Sequence, residues 1–177
     1  MKVKKQATDI QKVIKSYAKA YGALQEYQEN SSLIPLGDQK TGCIGEFYVY
    51  LFLQDKFPKA TLTYGNHSQK GWDIKLTKPD KSVVTIQVKT VSAYSKTRQI
   101  SPIHHGWNEL HLVYLDRGFQ PLGYWIVDDR SIVKKGDKLM GRKIPVSEKD
   151  GTGSKGIPFG DNLVHVLKKA ITKFDRK

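Results

Sequence analysis

Apolar residues in the first part of the chain recur at helical spacing. Ile10, Val13, Ile14, Tyr17 and Tyr21 fall on one side of a proline-free segment, and the pattern predicts a helix over roughly 3–28. Ser, Pro and Gly between Asn30 and Asp38 break it into a loop. A second helix is predicted from near Thr41 to about Lys56, because Pro58 forbids much extension beyond it. The pattern then turns to strands. Residues 60–64 form a short one, while 72–76 and 82–91 alternate apolar and polar positions. Pro79 and Asp80 lie between the latter two, good turn chemistry for an antiparallel hairpin. A polar stretch over 92–108 precedes two apolar strands at 109–116 and 122–127, where Tyr124 and Trp125 read as core. Residues 136–160, rich in Gly, Lys and Asp, read as irregular. A closing helix is expected over 161–174, with Asp161 as N-cap and Leu163, Val164, Leu167 and Ile171 on one face.

This order implies a mixed α/β sheet in one domain of 177 residues. It divides into a helical extension over 1–40, a core over 41–130 and a basic segment over 131–177. No repeat, low-complexity tract, signal peptide or membrane span is evident. The lone Cys43 excludes an internal disulfide framework and suits a reducing cytoplasm.

Charge changes the picture. Thirty Lys and Arg against 17 Asp and Glu leave +13, a balance that favours polyanionic partners over a plain solvated surface. The last segment carries 12 basic and 5 acidic residues, and is expected to face phosphates.

The candidate chemistry lies in the hairpin and the second helix. Side chains alternate across a strand, so Val84, Ile86 and Val88 share one face, and Thr85, Gln87 and Lys89 the other. In the preceding strand, Trp72, Ile74 and Leu76 are apolar, whereas Asp73 and Lys75 share the polar face. A turn centred at Asp80 sets Asp73 opposite Gln87, and a slip of one residue would separate them. The second helix is apolar all round from Cys43 to Leu53 except at Glu46. Such a helix is buried, and a lone carboxylate within it needs a cation from elsewhere in the fold. Val49 and Tyr50, its neighbours one turn on, supply none. Gly42 and Gly45 allow one side of this helix to pack closely on a sheet. Hard oxygen ligands beside one lysine suit Mg²⁺, which acidifies a bound water, while the ammonium offsets developing negative charge. A structural ion pair for Glu46 and a solvent-facing Asp73 are the plainer alternatives.

Gly42-x-x-Gly45-Glu46 on a helix, then Asp73, then Gln87-x-Lys89 on the next strand resembles the PD-(D/E)xK, or restriction-endonuclease-like, nucleases. The likeness spans about 41–127. It implies a central mixed β-sheet flanked by helices, with an α-β-β-β-α-β core, here with added N- and C-terminal helices. It further implies DNA phosphodiester hydrolysis with Mg²⁺ or Mn²⁺, and frequent homodimers. Glu46, Asp73 and Gln87 become metal ligands, and Lys89 the catalytic cation. Two positions depart from the pattern: Trp72 stands for the proline before the Asp, and Gln87 for the usual acid. Loss of that charge keeps open a second reading, a catalytically inactive DNA-binding module on the same fold. Lys96, Arg98, His104 and His105, in the stretch between the third and fourth strands, are the candidate DNA contacts.

Overall fold

The computed structural model describes residues 2–37, 39–66, 71–127 and 160–174. Within the first helix, side chains are described only at 13, 16, 17 and from 19 onward. The irregular segment expected over 136–160 and most of the basic segment lie outside these residues. The elements are α1 (Lys2–Asn30), α2 (Lys40–Lys56), β1 (Thr61–Tyr64), β2 (Ile74–Thr77), β3 (Val83–Ser92), β4 (Glu109–Leu115), β5 (Pro121–Val127) and α3 (Val164–Phe174). The five strands form one mixed sheet in the order β1-β2-β3-β4-β5. Only the β3–β4 pair is parallel.

The hairpin has the register that a turn centred at Asp80 requires. Ile74 pairs with Ile86 and Thr77 with Val83. Lys78 and Ser82 close the turn by a backbone hydrogen bond of 2.9 Å, and Lys81 takes the left-handed conformation at φ 65°. The Asp80 carboxylate accepts from the Ser82 N–H and hydroxyl at 2.9 and 2.6 Å, which locks the corner.

Helices α2 and α3 cover one face of the sheet. Val49, Phe52 and Leu53 pack with Leu167 against Ile74, Leu76, Ile86 and Val88. Each such side chain, fully buried, contributes roughly 1.5–3 kcal/mol. Gly45 brings α2 onto β3: a Cβ there would stand 1.9 Å from Thr90 Oγ1. His111, wholly buried on this face, is held between Tyr124 Oη at 2.7 Å and Glu109 Oε2 at 3.1 Å. Tyr124 and Trp125 are core residues, as their pattern predicts.

The other face is covered by the connection between the parallel strands. Parallel strands need a long crossover, usually a helix. Here residues 93–108 are irregular, where the α-β-β-β-α-β core would carry a helix. Ile100, Ile103 and Trp107 seal the sheet by packing on Leu110, Leu112 and Trp125. The face that reads as polar is therefore roofed rather than open to solvent, and Gln87 is only 3% exposed.

One further expectation is corrected. Asn162, not Asp161, leads into α3: its side-chain oxygen accepts from the Val164 and Tyr124 N–H groups at 3.1 and 3.0 Å, joining helix to sheet. On α1, the helix that the spacing predicts, Val13 and Tyr17 are 68% and 66% exposed. The Ile10 and Ile14 side chains lie outside those described.

Candidate active site

The hairpin ladder ends at the Ile74–Ile86 pair, while β3 runs on to Ser92 beside β4 alone. Beyond that fork, the β3 edge that faced β2 has lost its backbone partner. Asp73 sits at the fork. Its N–H donates to Ile86 O at 2.8 Å, and its carboxylate accepts the next free donor of that edge, the Val88 N–H, at 2.6 Å. The carboxylate thus replaces a missing ladder acceptor. Gln87 Nε2 donates to the same Oδ2 at 2.6 Å. That turns Gln87 Oε1 away from Asp73, and among the described residues this buried oxygen has no hydrogen-bond donor.

Across the fork lies the start of α2. Gly45 lowers the helix onto Thr90 and so brings Glu46, one residue on, over the sheet end. Glu46, Asp73, Gln87 and Lys89 line one cleft of about 450 Å³, with Lys40 and Ser101 at its walls. A smaller cavity of about 150 Å³, bordered by Asn66 and Trp72, lies against the same two carboxylates. Gly71 meets the crossover on that side: a Cβ there would stand 2.6 Å from His105 O.

The electrostatics follow from this crowding. Burial, then the neighbouring charge of Asp73, pushes the Glu46 carboxyl up to about 8, against a smaller opposing effect of Lys89. Burial also raises Asp73, although the Val88 N–H, the Gln87 amide and Lys89 each favour its charged form. Two carboxyls that resist ionisation together, beside a donor-starved amide oxygen, are short of positive charge. That donor set fits a hard divalent cation, which takes carboxylate and amide oxygens and keeps water in its shell. Among the described residues, no group of three or more His, Cys, Asp or Glu is placed to hold a metal. The set is therefore two carboxylates and an amide.

Comparison with known proteins finds a likeness in structure and none in sequence. No family model matches the chain. No curated protein matches it either. The fold is similar to that of a bacterial homing endonuclease, I-Ssp6803I, at 14% identity and a TM-score of 0.46, over 79% of this chain and 99% of that one.

All four residues read from sequence as one constellation border the cleft. The other four do not line it. Lys96, His104 and His105 are exposed on the crossover. Arg98 is half-buried in a left-handed turn at φ 51°, where its N–H donates to Ser95 Oγ at 3.1 Å. The sequence pattern did not single out Lys40, Thr90 and Ser101. Lys40 carried a signal, standing two residues before the Gly-x-x-Gly-Glu motif at the start of a helix. Its ammonium is held by the Gly37 carbonyl at 3.0 Å and by the Gln25 and Gln28 side chains, 4.5 Å from the centre of the Tyr21 ring. It therefore ties the end of α1 to the first turn of α2. Ser101 gave no signal, because only the packing of the crossover brings it there.

Proposed function

We propose that the protein is a deoxyribonuclease that hydrolyses DNA phosphodiesters with Mg²⁺ or Mn²⁺. The observation that supports this most is the meeting of Glu46, Asp73, Gln87 and Lys89 around one cleft, with Gln87 Oε1 left without a donor among the described residues. Glu46, Asp73 and Gln87 are the residues to hold the ion. When bound, it supplies an acidified water and neutralises charge on the scissile phosphate. Asp73 is oriented by two donors from β3 and so offers a fixed oxygen. Glu46 keeps a proton near neutral pH in the metal-free protein and gives it up on taking a cation. The Lys89 ammonium offsets negative charge as it develops on the phosphate. Lys40 and the first turn of α2, with its positive helix dipole, favour a phosphate at the cleft wall. The exposed crossover and the basic C-terminal segment are the surfaces to grip the nucleic acid. A homodimer and a reducing, cytoplasmic setting accord with the family resemblance and the single buried cysteine.

The test is incubation with plasmid and branched DNA in Mg²⁺, Mn²⁺ or EDTA. Cleavage is expected with either ion and none with EDTA. Asp73→Ala and Lys89→Ala should abolish it while far-UV circular dichroism stays unchanged. Full cleavage by either variant refutes the assignment.

One observation favours the inactive-module reading: the cleft brings only two carboxylates where the family pattern has three acids. Gln87→Glu separates the two. A gain in Mn²⁺ affinity and cleavage supports a working metal site. Neither gain, with DNA binding retained, supports a binding module.

A further inference from the structure

Helix α1 carries an apolar seam that none of the described residues covers. Val13, Tyr17, Ala20, Leu24 and Tyr27 follow one another at alternating intervals of four and three. That is the spacing of a helix packed along another helix. Val13, Tyr17 and Tyr27 are 68%, 66% and 70% exposed, and Ala20 is exposed as well. A helix containing Gly22 and standing mostly in water has little to hold it, because helices in proteins owe most of their stability to packing of an apolar face.

The seam runs into a second unfilled surface. Leu24 and Tyr27 form one wall of an apolar groove of about 600 Å³, completed by Leu33, Phe47, Tyr48 and Phe119. The chain cannot fill this groove with its own seam. α1 is continuous from Lys2 to Asn30, and at about 1.5 Å per residue Val13 lies some 25 Å from the end that borders the groove.

We propose that a second copy of this chain occupies both surfaces, with two α1 helices paired antiparallel about a two-fold axis at Ala20. The seam extends seven residues to either side of that residue, so Val13 of each copy meets Tyr27 of the other and Tyr17 comes within one residue of the level of Leu24. The segment before Val13 then enters the partner's groove. Charge favours this direction over a parallel pair. Residues 2–19 hold six lysines and one aspartate, whereas 20–30 hold Glu26 and Glu29 and no basic residue. Antiparallel pairing sets the basic half over the acidic half and opposes the helix dipoles. Aromatic side chains bury roughly 150–250 Å² each. Two tyrosines, Val13 and the groove rim at Leu33 therefore supply much of the roughly 800 Å² per partner that a stable interface requires. The contact is isologous and closes on itself. This inference does not depend on the nuclease reading.

Analytical ultracentrifugation of the full chain at tens of micromolar tests it. The expected mass is about 40 kDa, twice the 20.1 kDa of one chain, falling to one chain mass in the Val13→Asp/Tyr17→Asp variant with helicity kept. A monomeric wild type, or a variant that stays dimeric, overturns the proposal. Cysteine cross-linking checks the geometry without weakening the seam. Ala20→Cys should form a disulfide dimer under mild oxidation, and Val13→Cys should not, the native Cys43 being buried. Equal cross-linking at both positions would mean parallel helices and would reject the pairing.

Discussion

Glu46 and Asp73 show how one fork in a sheet sets the behaviour of two side chains. Asp73 is kept in place by the Val88 N–H, which lost its strand partner, and by the Gln87 amide, and Glu46 is pressed toward it from a helix with few polar groups nearby. The Glu46 carboxyl is raised from 4.5 to about 8, so the metal-free fold binds a proton that the unfolded chain has released. The stability tied to that proton is complete below about pH 4.5 and is lost as pH rises to about 8. In EDTA, Glu46→Gln should therefore be more stable than wild type at pH 8 and above, by on the order of 2–4 kcal/mol, with the gap closing below pH 4.5. Urea unfolding across pH measures it, and a gap independent of pH would contradict the assigned proton. Mg²⁺ should raise the melting temperature of the wild type at pH 8 and leave that of the Asp73→Ala variant unmoved. That readout needs no cleavage. His111 belongs to the same scale but a different purpose. Its buried ring is satisfied on both nitrogens, so Tyr124→Phe, which strips the partner of Nδ1, should cost roughly 1–3 kcal/mol in denaturant unfolding.

At the scale of elements, α2 and the hairpin meet through Gly45 and Thr90. No side chain fits between them, and a methyl group at 45 would lie 1.9 Å from Thr90 Oγ1 and 2.8 Å from its Cβ. Overpacking of this kind costs about 1–3 kcal/mol. Gly45→Ala should lose that much stability and lift Glu46 away from Asp73, so its cleavage activity should fall further than its stability alone explains. Activity and urea unfolding measured on the same preparation check this, and unchanged cleavage would detach the helix position from the chemistry. The elements themselves were legible in the sequence. Apolar periods of 3.6 and 2 mark helices and strands locally, and the Pro79–Asp80 corner sets the hairpin register. The exceptions have physical reasons. Asp161 and Asn162 are both good caps, and only the approach of β5, whose Tyr124 N–H shares the oxygen, selects Asn162. The exposure of the α1 seam could not be read from its spacing, because period reports amphipathicity, not what the apolar side meets.

At the scale of the whole molecule, net charge of +13 makes any DNA affinity strongly dependent on salt. The logarithm of the binding constant should fall linearly with the logarithm of salt concentration. Lys96→Ala should lower the slope by about 1 if that residue faces a phosphate, with little change in sequence preference. Fluorescence anisotropy at several salt concentrations measures the slope, and an unchanged one would remove Lys96 from the interface. Lys40 links this scale to the cleft. It fastens the last turns of α1 to the α2 turn at the cleft wall.

The sequence by itself determined what depends on near neighbours: the helices, the strands, the hairpin that sets Asp73 against Gln87, and the isolation of Glu46 in an apolar helix. The tertiary structure alone decided what depends on docking. It laid Glu46 over the sheet end, roofed the polar face of β3 with an irregular crossover, drew Lys40 and Ser101 to the cleft, and left the seam of α1 uncovered. Backbone periodicity and turn chemistry act over a few residues and leave their mark in the order of amino acids. The approach of two surfaces far apart in sequence depends on the shapes of both, which neither stretch carries alone.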